Sequence, residues 1–313
     1  MFKSYKYRLY PNEIQKELLE KHFGCNRLVF NLGLELKTMV YNQSKKSLSY
    51  FDIQNQLPEL KKEYPFISEV SAQSLQMSLR NLDNAFVNFF HKRAKFPKFK
   101  SKKNSRQSYQ IPQNIKFNDS KVIIPKFQDG INIIIDRPFN GKVKTCTVSK
   151  TPTNKYYISV LIEIKNKESI KKQIKNPIGI DVGIKSFIVL SDGTKIDNPK
   201  YLKNSLKKLK KLQQNFSKKK SESNRYKKCK LKVALQHEKI VNQRNDFLQK
   251  LSTSIIKKYD TICVEDLDIK SMLQNKQLAR EISDVSWSKF ICMLEYKSNW
   301  YGNNLIKINQ FDP

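Results

Sequence analysis

The hydrophobic repeat of this chain changes period at one place, and that change limits what it can fold into. Ala72, Leu75, Leu79, Leu82, Phe86 and Phe89 recur at intervals of three and four, giving one apolar stripe along a helix. From about residue 109 to 164 the runs VIIP, INIII, KTCTVS and YYISVLIEI are strand-like, separated by the turn dipeptides Asp129-Gly130 and Asn140-Gly141. A 3.6-residue repeat and a two-residue repeat cannot share one element. A helical region therefore gives way to a small β domain, and Pro97 argues against a helix running through the junction.

The first residues alternate as well. Tyr5, Tyr7 and Leu9 share one face and Lys6, Arg8 and Tyr10 the other, which predicts a half-buried strand with a basic outer side. Pro11 and Asn12 end it. Gln15, three residues after Asn12, fits a capping box, and Ile14, Leu18, Val29 and Leu32 fall at near-helical spacing. Residues 12–93 read as a helical bundle, and if the first strand belongs to the β domain the bundle is inserted within it.

The second half starts from a Lys-rich linker, KNKESIKKQIKN, that ends at Pro177. IGIDVGIKSFIVLSDG reads as a β-hairpin closing at Ser191-Asp192-Gly193. Leu202, Leu206, Leu209, Leu212 and Phe216 make one helical stripe and Val233, Ile240, Phe247, Leu251 and Ile255 another, expected to pair antiparallel. TICVEDL, the helix-like WSKFICMLEYKSNWYG and the strand-like NLIKINQF follow.

Composition narrows the function. The 313 residues carry 60 Lys+Arg against 28 Asp+Glu, a formal charge of +32. With 39% apolar and 11% aromatic residues the chain has the material for cores and is not a disordered basic tail. Such a charge points to a polyanionic partner, whose condensed counterions Lys and Arg displace. No apolar run approaches the roughly 18–20 residues of a membrane span, and MFKSYKYRLYP lacks the apolar stretch of a signal peptide, so the cytoplasm is the expected location. Cys25, Cys146, Cys229, Cys263 and Cys292 are scattered, with no Cys-x-x-Cys pair, and are expected as buried thiols rather than disulfides or zinc ligands.

Two carboxylates stand where a core strand does not want them. In Ile178–Ile184 the isoleucines and Val182 occupy one face, leaving Gly179, Asp181 and Gly183 on the other, where the glycines clear space for a large substrate. Glu265 leaves a second apolar strand, Thr261–Val264. A desolvated carboxylate requires a cation or several donors, and two on neighbouring strands suit Mg²⁺, a hard cation that retains waters for a reacting phosphate. The plainer reading is turn chemistry at Asp181, with Asp266 or Asp268 as caps.

IGIDVGIKSFIVLSDGTKIDNPKYL, HEKIVNQRNDFLQKLS and YDTICVEDLDIKSM resemble the first two RuvC motifs and intervening helices of the transposon-encoded TnpB (OrfB) proteins, relatives of type V CRISPR effectors. YKYRLYPNEIQKELLEKHFGCNRLVFN, SAQSLQMSLRNLDNAFVNFF and FPKFKSKKNSRQSYQIP resemble the N-terminal half of the same family, so the likeness spans nearly the whole chain. It implies an RNA-guided DNA nuclease of α/β multidomain build: a β-barrel wedge domain (1–11 and 97–166), an inserted helical recognition domain (12–96), a basic linker (167–176) and an RNase H-like RuvC domain (177–313). It implies a guide RNA from the transposon end, target DNA beside a short adjacent motif, and a bacterial or archaeal, nucleoid-associated protein. Asp181 and Glu265 would be the first two RuvC carboxylates and bind Mg²⁺. Lys98, Lys100, Lys102, Lys103 and Arg106, with Gln73 and Gln76, would contact nucleic acid.

The family pattern continues past a phrase like INQFDP into a four-cysteine zinc ribbon and a third RuvC motif with the last catalytic Asp. Neither is present in these 313 residues. The expectation is therefore an incomplete RuvC domain without the family's zinc, holding Mg²⁺ weakly and cleaving DNA weakly or not at all. The competing readings are a nuclease-inactive, RNA-guided DNA-binding repressor and a basic nucleic-acid chaperone that needs no catalytic strands.

Overall fold

The computed structural model describes residues 1–103, 107–164, 171–272, 274 and 279–308. The chain divides into two compact units, Met1–Lys165 and Asn166–Pro313.

In the first unit, strand β1 (Phe2–Tyr10) precedes a run of helices, α1 (Glu13–Ser44), α2 (Tyr50–Gln54), α3 (Leu57–Glu63), a 3₁₀ turn (Pro65–Glu69) and α4 (Ala72–Phe90). Six strands follow: β2 (Gln107–Ile111), β3 (Lys116–Phe117), β4 (Lys121–Ile124), β5 (Phe127–Ile134), β6 (Lys142–Lys150) and β7 (Tyr156–Glu163). They form one sheet in the order β2-β6-β7-β1-β5-β4-β3. Although first in sequence, β1 lies inside the sheet, antiparallel to β7 from Phe2↔Glu163 to Leu9↔Tyr156 and to β5 at Arg8↔Ile134. The helical segment is thus inserted between two strands of one sheet, as the repeat change predicts.

The sheet is a curled half-barrel, not the closed barrel expected: β2 and β3 are edges that do not pair, and the two-residue β3 is too short to close against β2. A second correction concerns Asp129-Gly130, which is no turn. Gly130 has φ +71° within β5, beside a register shift in the β4–β5 ladder, the backbone a bulge asks of glycine. The β4–β5 turn is made instead at Pro125-Lys126, where Lys126 has φ 74°.

One face of the sheet makes the core. Tyr7, Leu9, Cys146, Val148, Ile158, Val160 and Ile162 are buried with Leu19 and Phe23 of α1. The capping box is present: Asn12 and Gln15 each accept a backbone N–H from the other. The expected stripe on α1 is only partly right, since Ile14 is 80% exposed. The buried face instead runs through Leu19, Phe23, Val29, Phe30 and Leu34 and includes His22, Asn26 and Gly33. His22 Nδ1 lies 2.8 Å from the Leu18 carbonyl and Nε2 accepts from Ser71 N–H, which requires a neutral ring. At Gly33 a Cβ would lie 2.9 Å from Leu79 Cδ2, so glycine sets the approach of α1 to α4.

The second unit contains β8 (Pro177–Val182), β9 (Ser186–Leu190), β10 (Lys195–Asp197), α5 (Tyr201–Ser217), α6 (Asn224–Lys258), β11 (Thr261–Glu265), α7 (Ile269–Met272), α8 (Ala279–Val285), α9 (Trp287–Tyr301) and β12 (Asn304–Ile308). The sheet order is β10-β9-β8-β11-β12, with β11 parallel to both β8 and β12. The β8–β9 hairpin turns at residues 183–185, whereas Ser191-Asp192-Gly193 joins β9 to β10. Gly183 belongs to that hairpin: its N–H donates to Phe187 O, and a Cβ would lie 2.9 Å from Ser186 O. Its glycine is explained by the turn, not by an approaching substrate.

Ile178, Ile180, Ile188, Leu190, Ile262 and Val264 form the covered face, packed with Leu248, Ile255 and Ile256 of α6 and Phe290 and Leu294 of α9. Trp287 and Phe290 are 2% and 0% exposed, so this core is closed around α9. Polar ties add to it. Asp284 of α8 accepts from the N–H groups of Leu202 and Lys203 at the start of α5 and from Arg244 of α6 at 2.6 Å. Lys297 of α9 donates to Gln249 O, Ser252 Oγ and Thr253 Oγ1 of α6, and burial pulls its pKa down to about 8. Residues 171–176 are not a free linker: Lys172 N–H donates to Gly302 O, and Lys175 and Asn176 N–H donate to Asp260. Of the cysteines only Cys25 and Cys146 are buried; Cys229 and Cys263 are half-buried and Cys292 is exposed. Among the described residues no helix is long and apolar enough to cross a membrane.

Candidate active site

The parallel β8–β11 ladder ends with Ile180 paired to Val264. The next residue on each strand is Asp181 and Glu265. Side chains alternate along a strand and neighbouring strands lie about 4.8 Å apart, so the two carboxylates project side by side from the face opposite the core. Asp181 is exposed and Glu265 half-buried. Both line an open cavity of about 530 Å³ together with Gly179, Ser191, Cys263 and Ile308.

The local sequence builds this face by contrast. Ile178 and Ile180 point into the core, which forces Gly179 and Asp181 outward. A Cβ at Gly179 would meet only Ser191, at 3.5 Å, so packing does not demand glycine there and the floor beside Asp181 is clear. Ser191 Oγ accepts the Gly179 N–H at 3.1 Å and fixes the strand next to the site.

Neither carboxylate has an ion pair or hydrogen bond among the described residues. In a chain of +32 that is unusual company for two acids. Elsewhere Asp192, near the other end of the sheet, accepts from Thr194 and from Tyr259 Oη and lies 3.6 Å from Lys258, and these donors, Thr194 foremost, hold its carboxyl well below the usual range. Asp268 accepts Ser271 N–H, the cap expected of it. Asp181 and Glu265 are left with open lone pairs, and no group of three or more His, Cys, Asp or Glu that could hold a metal occurs among the described residues.

The basic candidates do not behave as one group. Lys98, Lys102 and Lys103 are exposed, as a solvated charge run is. Lys100 differs: its ammonium sits 3.7 Å from the centre of the Phe30 ring, and Asn31 ties its backbone N–H and carbonyl. Its exposed stem ends in a sheltered charge, whose pKa burial lowers to about 8. Arg106 lies outside the described residues. Gln73 and Gln76 are half-buried on α4 rather than plain surface, and Gln73 Oε1 is buried without a partner. Periodicity missed Ser191, a neighbour of the acids, because a turn serine carries no pattern.

Residues 159–276 match the OrfB-IS605 family, described as "Probable transposase", and residues 1–46 match an OrfB "Helix-turn-helix domain", a segment that here folds as β1 and the single long helix α1. The chain is 38% identical to a "Putative RNA-guided DNA endonuclease" of Streptomyces pristinaespiralis over 99% of its own length and 78% of the relative's. It is 30% identical to "Putative RNA-guided DNA endonuclease InsQ" of Escherichia coli K12, over 97% and 80%. In fold it resembles Cas12f1, solved by cryo-EM in complex with sgRNA and target DNA, at a TM-score of 0.56 and 12% identity, covering 99% of this chain and 89% of that one. Matched by family models over residues 1–46 and 159–276 and along almost its full length by curated relatives, the chain belongs to the OrfB, or TnpB, family of transposon proteins.

Proposed function

We propose that this protein is an RNA-guided DNA-binding protein of the TnpB type whose Asp181 and Glu265 hold Mg²⁺ for cleavage of a DNA strand. The observation that carries the reading is the pair of unpartnered carboxylates, adjacent in register on an open sheet face. In domain terms the half-barrel is the wedge, α1–α4 the recognition domain, and residues 177–308 an RNase H-like RuvC domain.

The residues fit the ion. Mg²⁺ is commonly bound by one or two carboxylates and the substrate's phosphates, keeping several waters, and here two hard oxygen donors face solvent. Bound there, it would polarise the phosphodiester and lower the pKa of a water. Asp181 and Glu265 anchor from two strands locked by the β8–β11 ladder, so their separation does not depend on a loop. Gly179 leaves room for the sugar-phosphate backbone to lie against the sheet. A binding-only repressor has no use for two acids held side by side without partners.

Sequence choice would come from guide pairing, with the protein reading backbone shape and a short adjacent motif. Affinity for RNA should fall steeply with salt, and removing charge at Lys98, Lys100 and Lys103 should flatten the slope. An unchanged slope removes that segment from the interface.

The test is Mg²⁺-dependent cleavage of a target duplex with its cognate guide RNA. Cleavage is expected, reduced on the order of 100-fold in Asp181→Ala and in Glu265→Ala, the scale of about 3 kcal/mol of transition-state stabilisation. Guide-dependent DNA binding should survive both changes. Cleavage unaffected by either substitution places the chemistry elsewhere.

A further inference from the structure

A second concavity, of about 450 Å³, lies wholly within the first unit where α1, α4, β2 and the segment before β2 meet. Its polar walls include Arg27, Asn81, Lys100, Gln107 and Gln110, and no carboxylate lines it. The side chains are held before any ligand arrives. Arg27 Nη1 donates to Gln107 Oε1 at 2.9 Å, and Asn81 Nδ2 donates to Gln110 Oε1 at 3.0 Å. Both bonds occupy the amide oxygens of the glutamines, so what Gln110 has left to offer is N–H. Arg27 keeps donors of its planar fork beyond the one used.

A further observation points the same way. Lys100 rests its ammonium on Phe30, with its charge sheltered and no carboxylate beside it. Arg27, Lys100 and the amides of Asn81 and Gln110 line one hollow, and the missing element is an anionic acceptor with several oxygens.

Resting on the RNA-guided reading above, we propose that this hollow seats one backbone phosphate of the bound nucleic acid, with Arg27 as its clamp and Lys100 and Gln110 beside it. Arg geometry suits two phosphate oxygens at once, and such a contact fixes the register of a strand without reading its sequence. Phosphodiesters of guide RNA and target DNA share this chemistry, and the experiment separates them.

Neutral methylphosphonate linkages are placed singly along the guide RNA in one series and along each target DNA strand in another, and affinity is measured for the full chain. One position, or two adjacent ones, in a single strand should weaken wild-type binding about tenfold, as loss of a charge-assisted bond does. Arg27→Gln should bind the native strand about tenfold less and be indifferent to the methylphosphonate at that position. Lys100→Gln, on an exposed stem, should show a smaller loss confined to the same position. Circular dichroism melts identify any variant that fails to fold, and Lys100→Gln decides the matter if Arg27→Gln does. A wild type equally sensitive at every linkage, or variants with the wild-type profile, overturns the phosphate seat. Absence of guide-dependent binding with fully native strands instead overturns the functional reading itself.

Discussion

The outer faces of the two sheets treat charge in opposite ways. On the first sheet Lys6 and Arg8 stand over aromatic rings: Lys6 Nζ is 4.3 Å from the Tyr157 centroid, and the Arg8 guanidinium is 5.1 Å from Tyr157 and 5.5 Å from Tyr10. Both cations rest on ring faces, although Arg8 Nη1 is buried without a hydrogen-bond partner. On the second sheet Asp181 and Glu265 have no such neighbours, and Ile306 and Ile308 beside them are each 44% exposed. A fold does not leave two acids and an apolar strip open for stability's sake. The first outer face is architecture; the second is kept for something else.

This contrast can be broken at several strengths. The largest effect belongs to the covered face of the first sheet, where Val160→Asp would bury a charge at a position 0% exposed. Loss of cooperative unfolding in that unit, by several kcal/mol, is expected in a denaturant melt. Next comes Asp284→Ala, which strands the partly buried Arg244 and uncaps α5. It should cost about 3–5 kcal/mol, and a loss below about 1 kcal/mol would show that the second unit does not depend on its polar ties.

His22 gives the first unit a pH dependence. Burial lowers its pKa to about 4 from the ordinary 6.5, so between those values the unfolded chain binds the extra proton. Stability from this group is full above about pH 6.5 and declines as pH falls toward 4, by on the order of 3 kcal/mol. His22→Gln should flatten that part of the pH–stability curve. Gly33→Ala should cost about 1–3 kcal/mol through crowding of Leu79 and Leu82. The smallest change in stability sharpens the comparison most. Asp181→Val on the open face should shift the melt by less than about 0.5 kcal/mol while abolishing cleavage; marked destabilisation would mean that the acid serves the fold after all.

Much of this architecture is legible in residue order because period and punctuation are local. The α4 stripe, the β6 and β7 runs and the Asn12–Gln15 cap need only near neighbours to act. The carboxylates are legible because an Asp between Gly179 and Gly183 conflicts with an apolar strand. What stayed hidden was decided by distant partners. Gly130 looks like a turn until β4 pairs with β5, and Ile14 looks like core until Leu19 and Phe23 meet the sheet. Buried Lys297 and His22 are invisible because their donors and acceptors lie 45–49 residues away. The phosphate-seat candidates come from the insertion and from the strand that follows it, Arg27 and Asn81 before Pro97 and Gln107 and Gln110 after it, so no contiguous motif announces them.

The interior place of β1 has a consequence for synthesis. Residues 2–10 leave the ribosome early, yet one flank pairs with residues 156–163 and the other with residues 132–134. At about 5–20 residues per second, this strand waits roughly 8 to 30 seconds for its β7 neighbour. During that interval Tyr5, Tyr7 and Leu9 are exposed on a nascent chain whose helices can already form, so the half-barrel closes last around the first strand made.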